Sequence, residues 1–463
     1  MIVPRSRLLF WTGAIVLPFA LLGAVEPAAA AGISLSAIGA LALLALVDAC
    51  GALNCLAGIS VELPEVARMS KDREAKLEVR IRNVRRRRRT LRVALAWPRE
   101  IPADVEELDV VLPESSEWSR LVWTCTPGRR GNYRLDSAYL EGSSPFGFWA
   151  VRKTVPVRSE IRVYPNLLPE RKNLAALFLH RGAFGLHAQR QVGKGRDFEK
   201  LREYVPGDSF DEIHWKATAR RGRPVTKVFQ IERTQEVYVI LDASRLSARS
   251  AAVAGSTLQV AHSSTGGPIP GPTPDTTALE RFVTAALVLG LAAEQQGDLF
   301  GLLTFSDRVE NFVRAKNGKA HYSTCRDALY TLQPKIVTPD FDEVCTFIRL
   351  RLRRRALLVF LTSLDDPALA EGFVRNLELI RRQHLVLVNM LQPPGAIPLF
   401  THPDPASVDE LYQHLGGHLL RQNLRELEKV LQRRGVRFSL LDNERLSADL
   451  VSQYLSLKQR QLL

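Results

Sequence analysis

Asp242 and Ser244 directly follow the most strand-like stretch of the sequence, residues 237–241. Such a run of β-branched, aromatic and aliphatic residues is typical of a buried parallel strand. In an open α/β sheet, ligands bind in the crevice beyond the carboxyl ends of the strands. The two side chains could therefore hold a metal ion or a polar ligand. They could equally cap the turn or helix that follows the strand.

A metal-dependent catalytic centre is a second possibility, because Asp208, Asp211 and His214 lie upstream of Asp242. Nothing in their spacing requires the four side chains to converge. The sequence has no H-E-x-x-H zinc motif, no G-x-S-x-G nucleophile elbow and no Walker A phosphate loop. A self-sufficient hydrolase or nucleotidase would be expected to carry one of these. We therefore expect a protein that is not an enzyme.

An ordered set of motifs extends over most of the chain. They are GKGRDFEKLREYVPGD at residues 193–208, IHWKATAR at 213–220, RRGNY at 129–133, SPFGF at 144–148, VYPN at 163–166 and YLSLK at 454–458. Together they resemble the bacterial family called domain of unknown function 58 (DUF58). The resemblance implies a membrane-anchored protein with a von Willebrand factor type A (vWA) domain. It also implies a MoxR-type AAA+ ATPase as the partner of the vWA face, since the two are often encoded side by side.

The motif-rich segment before the strand has two possible roles. It could dock a partner, or it could clamp two domains together through a buried Trp215 and salt bridges. Phe198, Leu201 and Tyr204 have helical spacing, and Trp215 is expected to anchor a second short helix that carries Lys216, Arg220 and Arg221. The candidate residues of this segment are Arg202, Glu203, Tyr204, Gly207, Asp208, His214, Trp215, Lys216 and Arg220.

The resemblance to vWA domains further implies a Mg²⁺ site made by a D-x-S-x-S motif, a threonine and a second aspartate. Asp242 and Ser244 match the first two positions, but Leu246 stands at the third. Asp365 lies about two residues beyond the place expected for the second aspartate, and Thr324 is a guess for the threonine. We expect a degenerate site that binds Mg²⁺ weakly, or only when a partner completes it. No other cofactor and no small-molecule substrate is indicated.

The amino terminus predicts a transmembrane hairpin over residues 1–59, because two apolar segments of about 20 residues are separated by a short loop. Basic residues flank the pair on both outer sides, which places both ends and the rest of the chain in the cytoplasm, at the inner membrane. A cleaved signal peptide is the alternative for the first segment. Asp48 would be costly inside the second segment, so it is either functional or beyond a span that ends near residue 47.

The remaining sequence predicts a multidomain protein. Alternating strands indicate a small β-sandwich at residues 60–165, and the motif-rich connection occupies residues 166–235. Strands that alternate with helices predict a doubly wound, Rossmann-like α/β domain of the vWA type at residues 236–463. A segment rich in Gly, Ser, Thr and Pro at residues 250–277 is expected to be a flexible insertion.

The chain is basic, with 63 Lys and Arg against 49 Asp and Glu, a formal charge of +14. Five consecutive arginines, residues 85–89, form the tip of a predicted hairpin. They could grip nucleic acid, but a turn beside an anionic membrane explains them with no further partner. Five scattered cysteines indicate neither a disulfide framework nor a zinc site. A membrane-tethered interaction factor is therefore our leading hypothesis, with a nucleic-acid-binding protein and a metal-dependent enzyme as the alternatives.

Overall fold

The computed structural model describes most of the chain, in two compact units that are presented separately: residues 1–166 and 167–463. The described residues are 1–23, 27–180, 192–206, 208–230, 235–251, 277–393, 395–396, 398 and 407–460. Gly207 lies outside them, as does most of the insertion predicted at residues 250–277.

The first unit begins with a short strand and two helices: β1 (Ile2–Pro4), α1 (Ser6–Gly23) and α2 (Pro27–Ala52). Within the described residues, one helical stretch is long and apolar enough to cross a membrane, Leu35–Ala52 in α2. The apolar part of α1, Ser6–Pro18, is shorter. The structure thus supplies one candidate span, and the second span of the predicted hairpin stays a prediction.

Two β-sheets around one hydrophobic core make up the rest of this unit. Their strands are β2 (Ile59–Glu62), β3 (Val66–Ser70), β4 (Ala75–Asn83), β5 (Arg89–Leu95), β6 (Glu107–Leu112), β7 (Trp118–Cys125), β8 (Gly131–Ser143) and β9 (Trp149–Tyr164). One sheet has the order β1-β9-β8-β5-β6, with β3 also paired to β9, and the other has the order β2-β4-β7. Leu77 and Val79 of β4 and Leu91 and Val93 of β5 are buried in the shared core. Alternation of apolar and polar residues turns one face of each sheet inward.

Both helices are attached to the turn between β8 and β9. Strand β1 pairs antiparallel with the start of β9, and Arg5 N–H donates to Phe148 O at 2.8 Å. At the end of α2, Asp48 is only 1% exposed. Its carboxylate accepts hydrogen bonds from Ser144 Oγ at 2.5 Å, Phe146 N at 2.9 Å and Phe148 N at 3.1 Å. The helix continues past Asp48 to Ala52, and the turn satisfies the carboxylate, while the prediction that the membrane span ends near residue 47 stays a prediction.

The second unit is an α/β arrangement. Its elements are α3 (Leu168–His180), β10 (Val192–Glu203), α4 (Trp215–Arg221), β11 (Val225–Gln230), β12 (Glu236–Asp242), α5 (Ala278–Gln295), β13 (Leu299–Phe305), β14 (Val309–Lys316), α6 (Lys319–Leu329), α7 (Phe341–Arg351), β15 (Ala356–Leu361), α8 (Pro367–Leu377), β16 (Leu385–Leu391), α9 (Val408–Arg433), β17 (Arg437–Leu441) and α10 (Leu446–Gln459). The main sheet has the order β14-β13-β12-β15-β16-β17. Neighbouring strands are parallel except for β14, which is antiparallel to β13.

Helices cover both faces of this sheet. Val237, Val239 and Leu241 of β12 belong to one core with α5 and α10, whereas Tyr238 and Ile240 belong to a second core with α7, α8 and α9. A strand that is apolar on both faces, as β12 is, requires such double coverage. The alternation of strands and helices follows the sequence prediction, and the vWA type stays a prediction.

The segment before β12 departs from the prediction. Phe198, Leu201 and Tyr204 were expected on a short helix, but residues 198–203 lie in β10, which pairs antiparallel with β11. Tyr204 N–H continues the pairing by donating to Pro224 O at 2.9 Å. A helix of one or two turns would leave most of its terminal backbone groups unpaired, and the hairpin pairs them. Pairing with β11 therefore overrides the local spacing.

Candidate functional site

Asp208 organises the turn that follows β10. One carboxylate oxygen accepts from Arg202 Nη2 at 2.5 Å. The other accepts from Val205 N at 3.1 Å and from Thr226 Oγ1 at 3.3 Å. These bonds join the end of β10, the turn and β11. Two of the predicted signature residues, Arg202 and Asp208, therefore fix the conformation of the segment.

His214 is the N-cap of α4. Its Nδ1 accepts a hydrogen bond from Ala217 N at 3.0 Å, which satisfies one of the free N–H groups at the start of a helix. The helix ends at Gly222, which has a φ of 65° and donates its N–H to Thr218 O. This conformation is one that glycine adopts at little cost. The second short helix predicted in this segment is thus confirmed.

The side chains around α4 face solvent. Trp215 is 70% exposed and Phe210 is 74% exposed, and α4 has no buried residue. Tyr204 stacks on Phe210 with ring centroids 6.1 Å apart. The prediction that Trp215 is buried is therefore wrong, and the hydrogen bonds of Asp208 and His214, rather than tryptophan packing, hold this segment.

Basic side chains accompany these aromatic ones. Lys216, Arg220 and Arg221 are exposed, and Lys216 and Arg220 lie one helical turn apart. Glu203 pairs with Arg223 at 3.6 Å, an exposed pair that contributes little to stability. We call Phe210, Trp215, Lys216, Arg220 and Arg221 the signature surface. It combines two residue types, aromatic and Arg, that are enriched at protein interfaces.

Asp242 lies at the carboxyl end of β12 and is fully buried. Oδ1 accepts from Ser244 N at 2.8 Å, and Oδ2 accepts from Thr362 Oγ1 at 2.6 Å. Burial raises the pKa of the Asp242 carboxyl above its ordinary value, although hydrogen bonds from Ser244 and Thr362 oppose the shift. The strand ends of β12 and β15 are thus joined by one buried carboxylate.

The threonine beside Asp242 is Thr362, so the choice of Thr324 is wrong. Thr324 lies on α6, and its hydroxyl donates to Ala320 O within that helix. Thr362 directly follows the apolar strand β15, just as Asp242 closes β12. The same strand-end pattern that identified Asp242 could therefore have identified it.

Asp365 forms a different contact. Its Oδ2 makes an ion pair with Arg249, which follows the turn after β12, and Oδ1 has no hydrogen-bond partner among the described residues. Leu246 is buried, and Ser244 Oγ accepts from its N–H at 3.3 Å. Ser244 therefore acts as a cap, which is one of the two roles considered for it.

The described residues at these strand ends do not fit a Mg²⁺ site. Both oxygens of Asp242 are used by protein donors, and Asp365 is already balanced by the guanidinium of Arg249. Mg²⁺ requires near-octahedral oxygen ligands, usually with one or two carboxylates free to bind it. In the part of the chain that the structure describes, no group of three or more His, Cys, Asp and Glu is placed to hold a metal. No three of the residues Asp208, Asp211, His214 and Asp242, which were considered as a catalytic metal centre, are therefore placed together to hold a metal.

Replacing Asp242 with asparagine should change how stability depends on pH. Asp242 has a raised pKa in the folded state, so its contribution is fully present below the unfolded value of about 3.9 and is lost as pH rises through the folded pKa. Asparagine keeps an oxygen for Ser244 N–H but does not titrate. The free energy of unfolding of the wild type, minus that of Asp242→Asn, should fall as pH rises from about 4 to 7. Denaturant unfolding at several pH values in this range measures this difference. A difference that stays constant or rises with pH would refute the raised pKa of Asp242.

The structure thus defines a multidomain protein with an apolar N-terminal helix, two packed β-sheets and a mainly parallel α/β sheet. Residues 200–264 and 272–397 match the model of a family described as "Protein of unknown function DUF58". The matched residues include the signature surface and the strand ends at Asp242 and Thr362. The match agrees with the resemblance found from the motifs. No curated protein matches the chain.

Solved structures with partial similarity include two from Bacteroides. One is an aerotolerance-related membrane protein from Bacteroides fragilis NCTC 9343 with multiple mutations to serines, at 14% identity, covering 49% of this chain and 100% of that chain, with a TM-score of 0.28. The other is conserved hypothetical protein BatB from Bacteroides thetaiotaomicron, at 16% identity, covering 49% of this chain and 99% of that chain, with a TM-score of 0.28. At these TM-scores neither likeness defines the fold or the function of this chain.

Proposed function

We propose that this protein is a non-enzymatic, membrane-tethered interaction factor, and that its signature surface binds a partner protein, a MoxR-type AAA+ ATPase. The observation that carries the proposal is the exposure of Trp215 and Phe210 on a segment whose conformation is fixed by Asp208 and His214. A large aromatic side chain on a rigid support needs little further ordering on binding, which favours a central role in an interface.

The partner surface is therefore assigned to the signature surface rather than to the strand ends at Asp242. Asp242 is fully buried and its two oxygens bind protein donors, so it has no free group to offer a partner. The signature surface offers aromatic rings together with Lys216, Arg220 and Arg221. A complementary surface would present apolar groups with acidic residues around them.

The membrane tether follows from the apolar helix and its attachments. Strand β1 and the end of α2 both bind the region of the turn between β8 and β9, so residues 2–4 and Asp48 lie on the same side of any membrane that α2 crosses. Two crossings by the apolar segment would be compatible with both attachments. Arg5 before α1 and Arg7 in its first turn support the cytoplasmic side, at the inner membrane.

Trp215→Ala should weaken capture of the partner by about 30-fold, since an interface tryptophan of this kind contributes about 2 kcal/mol. Its free energy of unfolding should change by no more than about 0.5 kcal/mol, because the side chain is exposed. The measurement is a pull-down of the ATPase by the detergent-solubilised full chain, with and without ATP, together with denaturant unfolding.

Trp118→Ala is the matched control, because Trp118 is a partly exposed tryptophan of the first unit. It should leave capture unchanged. Capture that is equal in the wild type and Trp215→Ala would exclude the signature surface as the binding site. Salt-dependent retention of the wild type on DNA, without capture of the ATPase, would favour the nucleic-acid alternative.

A further inference from the structure

The run of arginines, residues 85–89, leads from β4 of one sheet to β5 of the other, so the hairpin predicted here is wrong. This run lies beside the end of α2. Arg89 Nη1 donates to Asn54 O at 3.4 Å, two residues beyond the last residue of α2. Val84 N–H donates to Gly58 O at 3.0 Å. Arg85 Cγ lies 3.3 Å from the position that a Cβ would take at Gly58. The arginine tip is thus held against the segment that leaves the candidate membrane span.

The backbone of this tip is fixed from within. Asn83 is buried, and its Nδ2 donates to Arg87 O at 2.9 Å. Arg86 adopts a left-handed conformation with a φ of 47°, and its N–H donates to Asn83 O at 3.2 Å. The side chains of residues 85–88 are exposed on this turn.

Acidic residues neutralise only part of the positive charge of this arginine run. Glu117 pairs with Arg82 at 2.7 Å and with Arg86 at 3.5 Å. Within the described residues, Arg85, Arg87 and Arg88 have no ion pair. Three arginines without acidic partners therefore lie next to the end of the apolar helix. Leu53 and Val84 beside them are exposed as well, at 67% and 55%.

We propose that Arg85, Arg87 and Arg88 form a binding site for the headgroups of anionic phospholipids. This inference rests on the part of the proposed function that places α2 in a membrane. A guanidinium binds a phosphate with two parallel hydrogen bonds, and exposed apolar groups such as Leu53 and Val84 suit the boundary between headgroups and acyl chains. The position of the tip at the end of α2 favours a lipid over a nucleic acid, because a headgroup is already within reach there.

The test uses the full-length protein in bilayers of phosphatidylcholine that contain spin-labelled phosphatidylglycerol or spin-labelled phosphatidylcholine. The association of each label with the protein is measured by electron paramagnetic resonance. The wild type should prefer phosphatidylglycerol. The triple variant Arg85→Gln, Arg87→Gln, Arg88→Gln should lose about fivefold in that preference for each arginine that contacts a headgroup. The triple change to lysine should restore part of it, since the charge returns without the planar fork.

The control variant is Arg349→Gln, Arg353→Gln, Arg354→Gln, which removes the same charge from exposed positions of the second unit. It should keep the preference of the wild type. Equal association of both lipids with the wild type, or equal preference in the wild type and the triple glutamine variant, would overturn the proposal. An oligonucleotide bound only by chains with the three arginines would reassign them to nucleic acid.

Two further measurements separate this proposal from the proposed function. Release of the wild type from membranes by carbonate would show that α2 does not anchor it, and an active alkaline phosphatase fusion at the carboxyl terminus would show that the second unit is not cytoplasmic. The first result contradicts the tether, and the second contradicts the cytoplasmic side. Lost lipid preference with an intact tether and intact capture of the ATPase contradicts the headgroup site alone.

Discussion

Lys458→Met is expected to lower the free energy of unfolding by about 3 to 5 kcal/mol, the cost of leaving a buried charge without its partner. Lys458 Nζ lies 2.8 Å from Asp298 Oδ2, and the side chain of Asp298 is fully buried. The same carboxylate accepts from Gln235 N at 3.1 Å and from the hydroxyl of Tyr454. These bonds connect α10 to the start of β12 and to the turn before β13. The loss of stability should therefore extend over the second unit.

Tyr454 remains a donor throughout the physiological range. Burial, with the neighbouring Asp298 charge, raises the pKa of the Tyr454 hydroxyl well above its ordinary value. The hydroxyl alone therefore cannot replace the positive charge, since it supplies a hydrogen bond without neutralising the carboxylate. Methionine at position 458 keeps the apolar stem of lysine and removes only the ammonium group.

The measurement is denaturant unfolding of the full chain in detergent. Lys429→Met, on the exposed side of α9, is the control and should change stability by no more than about 0.5 kcal/mol. Adding Asp298→Asn to Lys458→Met should recover part of the loss, because the buried charge is then removed as well. A loss for Lys458→Met no larger than that of the control would show that the pair does not stabilise the unit.

The sequence allowed the prediction of elements whose pattern is local. The apolar run before Asp242 predicted a strand buried on both faces, and β12 has that structure because its side chains alternate between two cores. A short helix in the region of α4 could likewise be predicted, since the start of a helix depends on a few consecutive residues such as His214 and Trp215. Periodicity and capping are properties of neighbouring residues, which is why they can be deduced from one sequence.

Contacts between distant residues could not be deduced in this way. The motif that contains Tyr454 and Lys458 was recognised, but nothing local connects it with Asp298, which lies 160 residues from Lys458. The clamp, one of the two roles considered for this segment, required a buried Trp215, but the side chain is exposed. Its exposure follows from the hydrogen bonds of Asp208 with Arg202 and Thr226, which fix the segment without it. The local sequence pattern does not show that hydrogen bonds of Asp208, rather than packing of Trp215, hold the segment.

Asp48→Ala is expected to have an effect of similar size, about 3 to 5 kcal/mol, because it leaves three donors of one turn without their acceptor. The donors are Ser144 Oγ, Phe146 N and Phe148 N. Each unsatisfied buried donor costs about 1 to 3 kcal/mol, and hydrogen bonds to a charged acceptor lie at the upper end of that range. Limited proteolysis should show the same change as faster cleavage within residues 144–148, since the turn would no longer be held against α2.

Ser36→Ala is the matched control on the same helix. The Ser36 hydroxyl is exposed and donates only to Ile33 O, one turn earlier, so its removal should cost little. Asp48→Asn should fall between the two, because the amide keeps one acceptor oxygen but cannot serve all three donors. Unfolding and cleavage rates for Asp48→Ala equal to those of Ser36→Ala would mean that the turn is held by other contacts. A loss of stability that increases from Ser36→Ala through Asp48→Asn to Asp48→Ala would instead show that the Asp48 carboxylate joins the apolar helix to the β unit.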